Sequence, residues 1–182
     1  VDFLLNGKPT PCDALECNGE ICLNIVSIGF DVEVAKRANN YKLFGSAAYT
    51  IAAIDRALFA KNQYANITID GANIRKNILL AAVGNGSHYG GGINSLPTAD
   101  ITDGLLDICL VDATTPLNIL RLLPKYVAGA HTDMDLVSLY KAKEITIQLE
   151  EKKLPINADG EILPPTDVLN VKILKGLINV IR

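Results

Sequence analysis

The alternation of apolar and polar residues along the chain predicts a protein built mainly of β-strands. Six segments rich in Ile, Val, Leu and Thr show local period-two alternation, which is typical of strands with one buried face. In residues 145–149 and 171–174 the apolar side chains fall largely on one side, as expected of an antiparallel sheet packed on one face. The segments are residues 21–28, 66–70, 74–83, 105–111, 144–149 and 168–173.

A helix and a hairpin are predicted within the first half of the chain. Between residues 44 and 58, apolar residues recur at intervals of three and four, which places them on one face of a helix. Asp70 and Gly71 separate two of the strand segments, and this pair is typical of a short hairpin turn.

A second, shorter helix is predicted after Thr115. Thr115 is suited to the N-cap and Pro116 to the first helical position, while Pro124 is expected to break or kink the helix. The strands do not alternate regularly with the helices, so a doubly wound α/β sheet is disfavoured. The residues expected to face inward from this helix are Leu117, Leu120 and Leu123.

Composition and charge narrow the class of protein. The net charge of −3 provides no overall field to attract nucleic acid, and no strong Lys/Arg run supplies a local one. No stretch approaches the ~20 consecutive apolar residues of a membrane span. The chain begins with Val1, from which we expect an upstream segment in the natural protein. The four cysteines match no familiar zinc pattern and are interpreted as reduced thiols of a cytoplasmic protein: Cys12, Cys17, Cys22 and Cys109.

A glycine-rich segment is the first candidate for a functional site. Residues 84–92 contain five glycines directly after an apolar run, which allows close approach of the backbone to a ligand. A long hairpin connection is the alternative interpretation. A Walker loop is excluded, because Gly-Lys-Ser/Thr is absent. His88 and the only other histidine, His131, form no metal-binding pair and are interpreted as loop residues.

Two acidic turns are further candidates. Asp100 and Asp103 flank a turn where two carboxylates and a main-chain carbonyl can converge on a hard cation such as Mg²⁺ or Ca²⁺. Asp159 and Glu161 flank Gly160, and such a pair can divide the tasks of orientation and proton removal. Each pattern also occurs in ordinary solvated turns.

The order and spacing of these motifs resemble the C-terminal half of the diacylglycerol kinase catalytic family, which is related to sphingosine and ceramide kinases. The resemblance begins near Cys22 with an Asn-x-x-Ser-x-Gly-Phe-Asp segment at residues 24–31. It continues through Gly-Asn-Gly at residues 84–86, Gly-Gly-Gly at residues 90–92 and the Pro-x-Ala-x-x-x-Asp-Gly-Leu-Leu-Asp run at residues 97–107. It ends with Gly-x-His at residues 129–131 and the acidic triplet at residues 159–161.

The resemblance implies a mainly β fold, a two-layer antiparallel β-sandwich with one or two helical insertions. It also implies that residues 1–182 form a single acceptor-side domain of a two-domain enzyme shaped like an NAD kinase. In such enzymes an N-terminal domain holds ATP through a Gly-Gly-Asp-Gly-Thr loop, and that motif is absent from this sequence. The implied reaction transfers the γ-phosphoryl group of ATP to a lipid alcohol such as diacylglycerol. The isolated chain is expected to be inactive.

The resemblance also implies roles for individual residues. Glu161 matches the proposed general base and Asp159 its companion. The implied Mg²⁺ site is formed by Asp100, Asp103 and the Leu105 carbonyl. The residues expected to border the acceptor are Asn85, Gly90, Gly91 and Gly92.

Two other functions stay open at this point. One is a sandwich module that binds lipid or a partner protein without catalysis, and the other is a sugar or NAD kinase with the same architecture. The expected partners are a lipid alcohol, the N-terminal domain, the surface of a membrane through peripheral contact, and a second copy of the chain in a homodimer. No nucleic acid is expected among them.

Overall fold

A computed structural model of the chain describes residues 7–38, 40–41, 43, 48–90 and 92–181, without the side chains of residues 49 and 50. Strands dominate this part of the chain, as the alternation predicts. The helices are α1 (Phe30–Ala38), α2 (Ala48–Ala57) and α3 (Pro116–Ala128). The strands are β1 (Pro9–Cys17), β2 (Glu20–Cys22), β3 (Ile25–Gly29), β4 (Gln63–Ile69), β5 (Ala72–Gly84), β6 (His88–Tyr89), β7 (Ile93–Asn94), β8 (Leu106–Asp112), β9 (Val137–Ala142), β10 (Glu144–Leu149), β11 (Leu154–Ala158), β12 (Glu161–Thr166) and β13 (Val168–Ile181).

Eleven of the strands form one antiparallel sheet that curls over on itself. Its main path runs β12-β11-β3-β5-β4-β10-β13-β1-β2, and β8 and β9 branch from β5. The branch exists because β5 is long enough to serve different partners along its length. Its first half pairs with β4, while residues 80–84 lie between β3 and β8. The predicted mainly β, antiparallel, sandwich-like fold is confirmed.

The larger hydrophobic core lies on the inner face of the curled sheet. It contains alternate residues of the central strands, such as Val26 and Ile28 in β3 and Ala81 and Val83 in β5. It also contains residues of β10 and β13 from the other part of the sheet, among them Ile147. Burying a side chain of Ile or Leu size contributes roughly 1.5–3 kcal/mol, so this core is the main source of stability.

A second core lies between the outer face of the same strands and the three helices. It takes the intervening residues of β5, Leu80 and Ala82, together with Leu122 of α3. Both faces of the central strands are therefore buried, which explains why residues 78–84 form a continuous apolar run. Helix α2 packs through Ala52 and Ala53 in this second core and lies outside the larger one.

The predicted helix over residues 44–58 is confirmed only for its second part. Residues 44–47 lie outside the described part of the chain, and α2 ends at Ala57. Leu58 and Ile54, which belong to the predicted apolar face, are exposed. The buried face is formed by small alanine side chains instead, because the helix packs closely on α1.

The N-terminus of α3 is predicted correctly, but its buried face is not. Thr115 is the N-cap, and its hydroxyl accepts a hydrogen bond from the Asn118 N–H. Leu117 and Leu120 are 57% and 38% exposed, so the prediction that they face inward is wrong. Leu123 is only partly buried against the second core. The buried residues of α3 are Ile119, Leu122 and Tyr126.

Pro124 does not end α3, so the predicted break there is wrong, and the alternative, a kink, stays a prediction. The helix continues to Ala128 and stops at Gly129, whose φ of 73° is the left-handed conformation of a C-cap. Pro124 removes one backbone donor. The buried contacts of Leu122 and Tyr126 on either side of it hold the helix together.

One predicted turn is confirmed, and one predicted strand is divided in the structure. The Asp70-Gly71 hairpin is confirmed, with φ of 43° and 84° at its two residues. The predicted strand over residues 21–28 is two strands, because the chain bends at Leu23 and Asn24 between β2 and β3. All four cysteines are buried free thiols. None of the helices in the described part is long and apolar enough to cross a membrane.

Candidate functional site

The acidic triplet forms the tight turn between β11 and β12. Asp159 and Gly160 have φ of 50° and 94°, and the flanking residues Ala158 and Glu161 pair directly across the hairpin. Glu161 is the first residue of β12, and its side chain is exposed to solvent. It is therefore available to a substrate, whereas the carboxylate of Asp159, which is also an exposed residue, is engaged in hydrogen bonds.

Asp159 holds the bend between β2 and β3 through its carboxylate. One oxygen accepts a hydrogen bond from the Leu23 N–H at 2.6 Å. The other accepts from the N–H groups of Asn24 and Ile25, both at 3.0 Å. Three charge-assisted bonds from consecutive amides make Asp159 a positioning residue that fixes this bend beside Glu161.

Asn24 connects the acidic turn to the glycine-rich segment. Its side-chain amide donates to the His88 carbonyl at 2.8 Å, and its own carbonyl accepts from the Asn85 N–H at 2.8 Å. Gly86 lies so close to the Asn24 side chain that an added Cβ would clash with it. A continuous set of contacts therefore runs from Asp159 through Asn24 to the segment at residues 84–92.

Asn85 braces this segment from behind. It is almost fully buried, and its side-chain amide donates to the Asp13 carbonyl at 2.7 Å. Asp13 is also buried, and its carboxylate accepts from the N–H groups of Gly104 and Gly176, each at 2.7 Å. Sequence reasoning missed Asp13, because its partners are about 90 and 160 positions away and no local pattern marks it.

An apolar groove begins where the glycine-rich segment ends. Its cavity has a volume of about 640 Å³ and lies among α1, α2, α3 and the segment from Tyr89 to Ile93. Gly90 and Gly92 line it, while Gly91 lies outside the described residues. Most of the wall is aliphatic, including Ile54, Leu120, Leu123 and Val127.

One carboxyl group, that of Asp31, lies in this apolar wall. Asp31 is 8% exposed and accepts a hydrogen bond from the Tyr89 hydroxyl at 3.2 Å. Burial raises the pKa of its carboxyl from the ordinary 3.8 to about 6, since the nearby hydroxyls of Ser27 and Tyr89 and the backbone N–H groups of Asp31 and Val32 offset only part of the lost hydration. Burial also raises the pKa values of the Tyr89 and Tyr126 hydroxyls, which stay neutral.

The raised pKa of Asp31 predicts a pH-dependent gain in stability for Asp31→Asn. Between pH 3.8 and about 6 the folded chain keeps a proton that the unfolded chain releases, so the contribution of this group to stability falls as pH rises through that window. The amide does not titrate. We expect the free energy of unfolding of the variant to exceed that of the unsubstituted chain by about 1–2 kcal/mol at pH 7.5 and by little at pH 4. Urea unfolding at both pH values measures this, and an equal difference at both would contradict it.

In the second acidic turn, at residues 100–103, the ammonium group of Lys141 is the cation beside the carboxylates. The Asp103 carboxylate accepts from the Leu105 N–H at 2.9 Å and from the Lys141 ammonium at 3.0 Å. The same ammonium contacts Asp107 at 2.8 Å. One oxygen of Asp100 accepts from both the N–H and the hydroxyl of Thr102. Among the described residues, no three His, Cys, Asp or Glu side chains converge as a metal site.

Oxygen ligands of this type suit Mg²⁺ in kind, but Lys141 already neutralises Asp103. The side chains as placed therefore do not fit a divalent ion at Asp103. The Mg²⁺ site at Asp100, Asp103 and Leu105 stays a prediction that requires Lys141 to move away.

Lys141→Met tests which cation this turn holds. For the unsubstituted chain, we expect no shift in the thermal midpoint of unfolding when 5 mM MnCl₂ replaces EDTA. For the variant, we expect a lower midpoint in EDTA, which rises part of the way back when Mn²⁺ is added. Lys152→Met, at an exposed position, is the control. A saturable Mn²⁺ signal in electron paramagnetic resonance of the unsubstituted chain, lost in Asp103→Asn, would show the predicted metal site instead.

The interpretation of His131 as a loop residue is incomplete. Its ring is fully buried against Tyr126, and Nε2 lies 3.2 Å from the Ser95 carbonyl oxygen. Burial lowers the pKa of this imidazole, so it is neutral at pH 7. His131 supports the wall behind the groove, whereas His88 is exposed and is the first residue of the short strand β6 rather than a loop residue.

The fold and the site together define the class of protein. It is a curled antiparallel β domain that carries an exposed acidic residue beside a glycine-rich segment and an apolar groove. Residues 24–182 match the family model described as the YegS C-terminal NAD kinase beta sandwich-like domain. The chain therefore belongs to the YegS/diacylglycerol kinase family, as the motifs predict.

Named relatives agree with this assignment. The chain is 34% identical over 143 residues to a diacylglycerol kinase of Mycobacterium tuberculosis (strain CDC 1551 / Oshkosh), covering 78% of this chain and 46% of that protein. It is 30% identical over 166 residues to "Probable lipid kinase YegS-like" of Shewanella frigidimarina (strain NCIMB 400), covering 90% and 53%. The chain thus spans about half the length of these relatives.

A solved structure shows the same fold. The crystal structure of a diacylglycerol kinase from Bacillus anthracis str. Sterne is similar with a TM-score of 0.75 and 27% sequence identity. The match covers 98% of this chain and 58% of that one. The chain is therefore a member of a family whose named relatives are lipid kinases.

Proposed function

We propose that the chain is the acceptor-binding half of an ATP-dependent lipid kinase, inactive until joined to an ATP-binding domain. The observation that carries the proposal is the apolar groove bordered by Gly90 and Gly92, which Asn24 connects to the turn that exposes Glu161. A lipid alcohol needs both an apolar site for its chain and a base near its hydroxyl.

The groove has the size and chemistry of a site for a long-chain molecule. Its volume of about 640 Å³ lies within the 300–1,000 Å³ typical of small-molecule sites. Its wall is mainly aliphatic, so it favours hydrocarbon over a sugar or a nucleotide. This distinguishes the proposal from a sugar or NAD kinase with the same architecture.

In the proposed reaction, Glu161 accepts the proton of the lipid hydroxyl as its oxygen attacks the γ-phosphorus of ATP. The new O–P bond forms while the bond to the ADP oxygen breaks, and the products are a lipid phosphate and ADP. Mg²⁺ bound with the nucleotide neutralises phosphate charge when present. The bend held by Asp159 keeps Glu161 in place, and Gly90 and Gly92 allow the acceptor to approach the backbone.

The exposed face of α3 extends the proposal to the membrane. Leu117, Leu120 and Val127 are exposed there together with the cations Arg121 and Lys125. Apolar and basic side chains on one helix face suit the surface of a bilayer containing anionic lipid. We therefore propose that the chain contacts the membrane surface peripherally, and that a lipid acceptor enters the groove from the bilayer.

A phosphoryl-transfer assay on the full-length enzyme tests this function. With [γ-³²P]ATP, Mg²⁺ and dioleoylglycerol in mixed micelles, we expect labelled lipid phosphate, and none from residues 1–182 alone. Glucose and NAD serve as alternative acceptors in parallel reactions. Binding of lipid without transfer would favour a non-catalytic module, and transfer to NAD or glucose alone would contradict a lipid kinase.

A further inference from the structure

The segments that surround Glu161 contain only one residue that can carry a positive charge. These segments are residues 22–29, 84–94 and 157–163, and their sequences include neither lysine nor arginine. His88 is the exception, because an imidazole can gain a proton near neutral pH. The phosphates that react at such a site are strongly negative. His88 is therefore the residue of these segments whose charge is suited to contact them.

The topology of the sheet brings His88 to the edge where the acidic turn lies. Gly84 at the end of β5 pairs with Ile25 at the start of β3, and Ala158 at the end of β11 pairs with the next residue, Val26. The glycine-rich segment and the acidic turn therefore leave the sheet at the same edge. Only β3 separates β5 from β11, and neighbouring strands lie about 4.8 Å apart, so the two segments begin about 10 Å from each other.

The side chain of His88 points away from the apolar groove. Strand β6 pairs with β7 through His88–Asn94 and Tyr89–Ile93. Tyr89 and Ile93 line the groove, and successive residues of a strand point to opposite faces. His88 is exposed on the other face. In-line transfer places acceptor and donor on opposite sides of the phosphorus, so an acceptor in the groove leaves the face of His88 to the phosphates of the donor.

Two hydrogen bonds fix the backbone and the ring of His88. The Asn24 side-chain amide donates to the His88 carbonyl at 2.8 Å, and the Asn24 N–H donates to Asp159. The Ser87 hydroxyl oxygen lies 2.7 Å from Nδ1 of His88. When this hydroxyl donates, Nδ1 is the acceptor and Nε2 carries the ring proton. Ionised phosphate oxygens only accept hydrogen bonds, so this tautomer presents the donor that a phosphate needs.

We propose that His88 is a phosphate-binding residue of this half of the enzyme, and that its Nε2–H donates to a phosphate oxygen of ATP during transfer. Ser87 is the positioning residue, because its hydroxyl holds the ring in the required tautomer. No covalent bond to His88 forms or breaks, and the contact is a hydrogen bond that strengthens when the ring is charged. The inference rests on the proposed function for the identity of the phosphate donor.

Nitrogen NMR of the two histidine rings tests the contact on the chain itself. The probe is tripolyphosphate, and sodium sulfate at the same ionic strength is the control for general screening. We expect saturable shifts of the His88 ring with a protonated Nε2, while the buried His131 ring is unchanged. In Ser87→Ala, we expect a mixture of tautomers before the probe is added. The absence of a saturable shift, or an Nε2 without a proton at saturation, would overturn the proposal.

Steady-state kinetics of the full-length enzyme measure what the contact contributes. We expect His88→Ala to lower kcat/KM for ATP by about tenfold or more, the effect of losing a hydrogen bond to a charged group, and to leave KM for dioleoylglycerol unchanged. His88→Gln should retain most of the activity, because its amide nitrogen can donate in place of Nε2. The control is Lys153→Gln, which removes an exposed cation at the opposite end of β11.

The outcomes separate the two proposals. An ordinary kcat/KM for ATP in His88→Ala, or an equal loss for ATP and dioleoylglycerol, would overturn the role of His88 and leave the lipid kinase intact. If no lipid is phosphorylated while tripolyphosphate still binds at His88, the proposed function is overturned and the phosphate site stands.

Discussion

Replacing Glu161 with Gln is expected to lower the turnover of the full-length enzyme by about 10²–10⁴-fold, the usual contribution of a general base. The amide keeps the shape of the side chain and removes its ability to take the proton from the lipid hydroxyl. Glu161 is exposed at the start of β12, so the change has little effect on folding. Initial rates with [γ-³²P]ATP and dioleoylglycerol measure the effect, and ATP binding should stay nearly unchanged.

Glu151→Gln provides the control for this prediction. Glu151 is also exposed, and it lies in the connection between β10 and β11, away from the acidic turn. We expect ordinary turnover from this variant. If Glu161→Gln has the same turnover as the control, Glu161 is not the base and the acidic triplet is a structural turn.

Removing the Asp159 carboxylate is expected to have the largest effect on stability. Asp159→Ala loses three charge-assisted hydrogen bonds and places a non-glycine residue without a polar side chain at a φ of 50°. We expect a loss of about 3 kcal/mol in the free energy of unfolding, measured by urea titration of the chain. The bend at Leu23 and Asn24 should also become mobile on hydrogen exchange.

Two other variants show whether the hydrogen bonds cause this loss. Asp159→Asn tolerates the positive φ and keeps part of the bonding, so it should lose about half as much. Asp167→Ala, in the exposed connection between β12 and β13, should change stability by less than about 0.5 kcal/mol. An Asp159→Ala variant as stable as Asp167→Ala would contradict a positioning role.

The strands of this fold are largely predictable because their signals are local. Period-two alternation and the Asp70-Gly71 turn mark β4, β5 and β10, and Thr115 marks the start of α3. The signal that determines the buried face of α3 is not local. Leu117 and Leu120 fit an inward stripe, but the position of α1 and α2 against the sheet selects Ile119, Leu122 and Tyr126.

The site is only partly predictable for the same reason. The acidic triplet and the glycine-rich segment are visible as motifs, but their connection through Asn24 is not, because its hydrogen bonds join residues 135 and 64 positions apart. Asp13 and Lys141 contact residues far away in sequence. Asp31 lies within the Gly-Phe-Asp motif, but only the packing of α1 against Tyr89 shows that it is buried in the groove.

The most direct test of the lipid site is photo-crosslinking with a diacylglycerol analogue that carries a diazirine on one acyl chain. After irradiation and digestion, mass spectrometry identifies the labelled peptides, and excess dioleoylglycerol serves as competitor. We predict competed labelling in α3 (Pro116–Ala128) and in the segment from Tyr89 to Ile93, which line the groove. Competed labelling confined to the polar surface of β10 and β13, with none in the groove, would contradict an acceptor site there.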